Sequence, residues 1–429
     1  MAALVVYNLN FQRIAAGDTV AASLVPFSLW LDGSVTADRF YPYLAEHAPN
    51  QTQGFHRKDG RAWSAYPIAL PLLIAPLYAP AALVVRAGGW DTERIVLLSG
   101  VLEKLIASLV ASLSVALFYL LTRRLTSPPR AVLAALVYAF ATETWTISSQ
   151  ALWQHGGGEL AVIAALLALV RLWEKPASRS ALIAAGLAAG LAAALRPTNG
   201  LFVLALLGWL VAARRKPGEL ALAAAAPLVL GIATLGYNLH VFGRITGGYD
   251  AAFDAPFASG LAGLLVSPGR GLLVYTPVVL FSLLGLWAWW RDRARWSGPV
   301  WPVSATFALA LILAAGQWRV WYGGHCYGPR LLTDALPCLV LLIVPALDWI
   351  SRAVSLRIAF VLLLAWSTIA QAVGAFCYPS SRWDETPVAV GERPARLWDW
   401  RDNPIARSLA AGPRLGPDRT MLPKLKTLL

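Results

Sequence analysis

Long apolar runs separated by short polar turns set the pattern of this chain. Residues near 95–122, 131–149, 159–173, 181–195, 200–213, 219–240, 271–290, 299–317, 333–350 and 357–377 are predominantly apolar. Such runs have no polar face to turn toward water, and about 20 residues suffice to cross a bilayer as a helix. The pattern therefore predicts an all-α, polytopic transmembrane protein of about ten or eleven spans. The opening MAALVVY is apolar but too short to cross, so residues 1–7 read as the remnant of a first transmembrane helix. Residues 8–92 read as a first external loop, 93–377 as the transmembrane domain and 378–429 as an external tail. Within the loop, 66–85 carries Pro67, Pro71, Pro76 and Pro80. Prolines at that frequency break helices, which predicts a juxtamembrane or re-entrant helix there.

Composition agrees. Hydrophobic residues make up 58% of the 429, and 14% are charged, against about 45–50% and about 25% in soluble domains. The net charge of +13 is scattered in compact turns: Arg123, Arg124 and Arg130; Arg171, Lys175 and Arg179; Arg214, Arg215 and Lys216; Arg291, Arg293 and Arg295; Arg352 and Arg357. Basic turns in alternate loops place those loops in the cytoplasm. Some of these residues also suit the anionic phosphates of membrane lipids. No basic patch interleaved with aromatics is present, so a nucleic-acid partner is not expected. Cys326, Cys338 and Cys377 are too few for a disulfide framework. Cys338 falls in an apolar run and reads as core, whereas a Cys326–Cys377 bridge is open if both face an oxidising compartment.

The loops between the basic turns fall outside and carry the unusual residues. Asp18, in AAGDTV, is a carboxylate that suits either a general base toward an acceptor hydroxyl or a helix cap. Gln154 and His155 precede three glycines, which let a backbone approach a ligand closely or simply turn. Arg196 in LRPTNG, Arg270 in SPGRG and Arg330 in YGPRLLTD are lone arginines beside Gly or Pro at outer helix ends. Three converging guanidinium groups suit a phosphate; snorkelling, or pairing with Asp334 or Asp250, is the plainer reading of each. His325 and Tyr327 share the last of these loops. The histidines show no metal-ligand spacing, so no metal site is expected, and a divalent ion stays an open option.

Taken together, GDTVAASLVPFSL, WSAYPIALPLL, SQALWQHG, LRPTNGL, SPGRGLLVYTPVVL and GGHCYGPRLLTDALP resemble the GT-C class of membrane glycosyltransferases. The resemblance is to the branch of protein O-mannosyltransferases and lipid A aminoarabinose transferases, and it covers about residues 8–377. It implies transfer of a sugar from a polyprenyl-phosphate carrier to a glycan, lipid or protein hydroxyl, at the outer face of a bacterial inner membrane. It also implies that Asp18 is the base, that Arg196, Arg270 and Arg330 hold the donor phosphate, and that Gln154, His155, Tyr66, His325, Tyr327 and Asp334 position substrates. Tyr66-Pro67 stands where the family has a Lys/His-Pro-Pro motif. Gln154-His155 stands where many members carry a second acidic residue. Two other readings stay open: a transporter or flippase of lipid-linked sugars, and a ligase of whole glycans.

Overall fold

The computed structural model describes residues 1–249 and 252–416. Among them, seven helices are long and apolar enough to cross a membrane: Ala69–Ala87, Thr92–Arg123, Gln154–Glu174, Pro217–Phe242, Val300–Gln317, Arg330–Arg352 and Val354–Ser381. Shorter apolar helices lie at Pro128–Phe140, Arg179–Leu195, Pro197–Ala212, Phe257–Val266 and Pro277–Arg291. The all-α polytopic architecture expected from hydropathy is therefore the observed one. Each of the ten apolar runs read from the sequence overlaps one of these helices.

Their order in space follows from burial. Arg330–Arg352 is 94% enclosed by protein and forms the axis of the bundle, whereas Pro217–Phe242 is 6% enclosed and lies at its edge. Without a hydrophobic drive between helices in lipid, close approach of small residues holds such helices together. Gly186 and Gly190 lie one turn apart on Arg179–Leu195, and an added Cβ would sit 2.2 Å from the Ala223 carbonyl oxygen and 2.8 Å from the Pro227 nitrogen. Gly285 meets Leu342 still more closely, at 1.7 Å for an added Cβ. Gly285→Ala should therefore force Phe281–Arg291 off the axial helix. We expect a loss of about 1–3 kcal/mol, typical of overpacking, read as a lower thermal midpoint of the detergent-solubilised protein.

The basic turns gather on one face. Asp348 binds Arg130 at 2.6 Å and Arg295 at 2.7 Å. Arg124 pairs with Glu174 at 2.6 Å, and Arg215 donates to the Pro176 carbonyl at 2.7 Å. These contacts tie together four turns that the alternation of charge assigns to a single side, and Asp348 shares the helix Leu347–Arg352 with the arginine of the fifth. The residues of the opposite loops meet one another at the other end of the bundle.

A helix, Ala69–Ala87, occupies the 66–85 segment and runs on through Pro76 and Pro80; the backbone groups a proline frees are tolerated where neighbouring helices pack. Other local expectations are corrected. The run 131–149 is not one helix. It ends at Phe140, and Thr142 Oγ1 donates to the Tyr138 carbonyl at 2.6 Å, followed by a wide turn at Thr144–Ser148. The run 271–290 is likewise broken, because Pro277 interrupts it after Leu272–Tyr275. A β-hairpin, Phe55–Lys58 with Arg61–Ser64, interrupts the first loop. Its turn places Asp59 and Gly60 at positive φ (50° and 75°), the pairing that Asp-Gly favours in two-residue hairpins. Tyr237 Oη donates to the Ser64 carbonyl at 3.2 Å and so docks the hairpin on Pro217–Phe242.

Cys326 and Cys377 are separate buried thiols, so the bridge left open above is not formed. Cys326 packs with Ile147, Ala151 and Trp153, and Cys377 with Tyr275 and Tyr327. Residues 2–8 form a short helix against Thr92–Arg123, with Tyr7 Oη donating to the Ala139 carbonyl at 3.0 Å. Residues 382–411 fold back over the loops, while 417–429 lie outside the described residues.

Candidate active site

Asp18 lies in the first turn of Gly17–Asp32, where the positive end of the helix favours a carboxylate. It is not a cap: no side chain caps that helix. Its Oδ2 accepts from Arg330 Nη1 at 2.5 Å, and its Oδ1 accepts from Tyr66 Oη at 2.8 Å. Burial alone would raise the Asp18 carboxyl. The charge and hydrogen bond of Arg330, with the Tyr66 hydroxyl, outweigh that and hold it below the ordinary carboxylate range. Tyr66 is pushed up by burial and by Asp18 beside it, so its hydroxyl keeps its proton and acts as a donor.

Arg330 joins three walls. Besides Asp18 it donates to the Gly323 carbonyl at 2.6 Å, and its guanidinium lies 4.4 Å from the Trp153 ring centroid. Its Nε is buried with no partner in the protein.

Directly behind is a second cluster. His155 Nδ1 lies 2.8 Å from Asp334 Oδ2, and Arg196 Nη1 reaches the same oxygen at 2.5 Å and also contacts His155. Asn199 Nδ2 donates to Asp334 Oδ1 at 2.8 Å. Asp334 is fully buried, and the His155 and Arg196 side chains are 4% and 10% exposed. Gln154 is buried beside them as the first residue of Gln154–Glu174. Tyr249 bridges the two clusters: its ring is 5.7 Å from that of Tyr66. Burial pushes its hydroxyl up to about 12, with Arg196, Asp18, Arg330 and Asp334 all near enough to act on it.

The glycines after His155 serve packing. An added Cβ at Gly156 would lie 3.2 Å from the Ser148 carbonyl, at Gly157 3.2 Å from Leu195, and at Gly158 2.2 Å from Asp334 Oδ1. Gly158→Ala should displace Asp334 and Asn199. We expect a lower thermal midpoint together with weakened donor binding, measured by thermal shift with and without polyprenyl phosphate.

Of the three lone arginines, two share this site. Arg270 does not turn its guanidinium toward it. That group is fully buried, binds Asp384 at 2.5 Å, donates to the carbonyls of Tyr322, Gly324 and Gly269, and stacks 5.2 Å from Trp383. With its donors engaged, it clasps the tail to the 322–326 loop. His325 is exposed in that loop. Tyr327 is buried and donates to the Ala370 carbonyl at 2.8 Å. Asp250 lies outside the described residues. Among the described residues no group of three His, Cys, Asp or Glu side chains converges as for a metal ion.

Sequence reasoning missed Trp153, Asn199, Tyr249 and the buried carboxylates Glu143 and Glu159. Glu159 accepts from Thr144 at 2.7 Å and Ser148 at 2.5 Å, and Glu143 from Thr276 at 3.0 Å. Both are locked by hydroxyls and stitch the Thr144–Ser148 turn into the bundle. A polar run Thr142–Gln150 at a helix end was their one signal.

The family model for dolichyl-phosphate-mannose-protein mannosyltransferases matches residues 97–235. The structure of ArnT from Cupriavidus metallidurans bound to undecaprenyl phosphate superposes with a TM-score of 0.50 at 12% identity, over 96% of this chain and 73% of that one. The archaeal oligosaccharyltransferase AglB from Archaeoglobus fulgidus, in complex with an inhibitory peptide and a dolichol-phosphate, gives 0.49 at 14% identity, over 92% of this chain. The chain spans 59% of the length of that oligosaccharyltransferase. No protein of curated function matches the chain. The fold is GT-C-like, and the protein is an integral membrane protein.

Proposed function

We propose that this chain transfers a single sugar from a polyprenyl-phosphate carrier to an acceptor hydroxyl at the outer face of the membrane. The observation that carries the reading is the convergence of Asp18, Tyr66 and Arg330 beside Arg196, His155 and Tyr249, at the end of the bundle opposite the basic turns. The match to a mannosyltransferase family model and the undecaprenyl phosphate held by the ArnT of similar fold support it. A transporter is the weaker reading, since passage calls for broken helices and binding groups near mid-membrane, whereas this cluster sits at helix ends.

In this reading the acceptor oxygen attacks the anomeric carbon while the bond from that carbon to the phosphate oxygen breaks. The electron pair goes to the phosphate, which leaves as polyprenyl phosphate, and the acceptor's proton passes to Asp18. Displacement in one step inverts the anomeric configuration. Negative charge grows on the leaving phosphate, so fixed cations there stabilise the transition state more than the ground state. Arg330 and Arg196 supply them. Arg330 also grips Asp18. A phosphate arriving beside the Arg330 guanidinium gives its charge a second anion and loosens that grip, so the base strengthens only in a loaded site.

The test is incubation of purified protein with polyprenyl-phosphate hexoses and pentoses, followed by mass analysis of free polyprenyl phosphate. Release is expected from the wild type; donor that crosses a vesicle membrane intact would instead establish transport. The pH profile adds a second check. Because the folded Asp18 carboxyl lies below its ordinary value of about 3.9, it stays ionised as pH falls through the usual carboxylate range. The acid limb of kcat/KM, which reports the unloaded enzyme, should lie below that range; a limb at or above it would remove Asp18 as the titrating group.

A further inference from the structure

A cleft of about 210 Å³ opens beside Ala16, two residues before Asp18. Its floor is Arg13–Ala16, the segment that leads into the Asp18 helix, and its walls include Trp153, His325, Tyr378 and Glu385. The floor is held firmly. Arg13 binds Glu103 at 2.6 Å, Ile14 N donates to the Gln150 carbonyl at 3.3 Å, and Trp153 Nε1 donates to the Ile14 carbonyl at 3.3 Å. Trp153 is also the ring on which Arg330 rests, so the cleft and the Asp18–Arg330 pair share this side chain.

Two features of the cleft restrict what it takes. First, its charges are internally balanced. Arg13 pairs with Glu103, Asp384 with Arg270 at 2.5 Å, and Arg382 with Glu385 at 2.7 Å. No net field is left to draw an anionic group. Second, it is small. Drug-sized ligand sites enclose roughly 300–1,000 Å³, so this one suits a single ring rather than an extended chain. It combines a half-buried aromatic, Tyr378, with an exposed carboxylate, Glu385, and an exposed imidazole, His325. Apolar ring faces flanked by hydrogen-bonding groups fit the two kinds of surface on a sugar ring.

We infer that this cleft is the acceptor subsite and that the acceptor is the uncharged end of a saccharide, one ring of which lies against Tyr378 with a hydroxyl turned to Asp18. The inference rests on the transfer reading and names the substrate class of the same site. The residues at the mouth of the cleft come from the tail and from the 322–326 loop, which Arg270 and Trp383 hold together. Arg270 is therefore a positioning residue for the acceptor.

The test uses the full chain in detergent, a polyprenyl-phosphate hexose labelled in the sugar, and three acceptors: a mannobiose, its uronate counterpart, and a Ser/Thr peptide. Label should pass to the neutral disaccharide at least about tenfold better than to the other two. Tyr378→Ala and Glu385→Gln should each raise its KM at least about tenfold, the loss expected for a contact or a charge-assisted hydrogen bond. Preference for the uronate or the peptide, or an unchanged KM in both variants, would overturn the acceptor assignment while leaving transfer standing. Donor consumed without label on the disaccharide would do the same. A wild-type protein that releases no polyprenyl phosphate with any acceptor would end the transfer reading, and this inference with it.

Discussion

Asp18→Asn should lower sugar transfer by about 10²–10⁴-fold, the usual contribution of a positioned general base, with the protein still folded. The asparagine keeps the shape, and its one carbonyl oxygen can take the place of Oδ2 opposite Arg330 at 2.5 Å; its amide nitrogen then stands where Oδ1 was and donates to the Tyr66 hydroxyl oxygen instead of accepting from it. What it lacks is a lone pair able to take the acceptor's proton. Arg330 loses its counter-ion but keeps the amide oxygen of the new side chain, the Gly323 carbonyl and the Trp153 face as partners. The fold should tolerate the change. The measurement is release of polyprenyl phosphate alongside the thermal midpoint. A variant that melts like the wild type and is at least about a hundredfold slower matches the proposed role. A variant as fast as the wild type removes Asp18 from the chemistry.

The largest structural effect is expected at Asp334→Ala. That carboxylate is fully enclosed and carries three partners, Arg196, His155 and Asn199. Removing it leaves a guanidinium that is 10% exposed with no counter-ion. Breaking a buried pair from one side costs about 3–5 kcal/mol, enough to threaten a marginally stable protein. Replacing both partners, Asp334→Ala with Arg196→Met, should recover much of that loss in the melting curve, because no lone charge stays behind. It should not recover transfer, since Arg196 no longer faces the phosphate. Recovery of activity along with stability would make the cluster purely structural.

How legible was this in the sequence? The spans were, because an apolar run signals a membrane helix through residues that are adjacent in the chain. Which lone arginine faces the site was not. Arg196, Arg270 and Arg330 each stand beside Gly or Pro at an outer helix end, yet Arg270 is consumed by Asp384, a residue 114 positions away. That pairing is tertiary and leaves no local trace. Tyr249 escaped notice for the same reason, since it gains meaning only beside Tyr66. The hairpin was legible and was overlooked: Asp59-Gly60 between His56-Arg57-Lys58 and Arg61-Ala62-Trp63 is turn chemistry within a strand pattern. Prolines misled in the other direction. Pro76 and Pro80 read as breaks by a rule drawn from helices in water, whereas Ala69–Ala87 runs through them.

Transfer by this site requires one phosphate group to meet Arg330 and Arg196 together within reach of Asp18. Binding of undecaprenyl phosphate to the purified wild type, Arg330→Gln and Arg196→Gln tests that most directly, by titration at fixed salt. Each charge-assisted contact contributes about 1.5–3 kcal/mol, so each variant should bind at least about tenfold more weakly, with folding checked by its melting curve. Both variants binding as tightly as the wild type would contradict it.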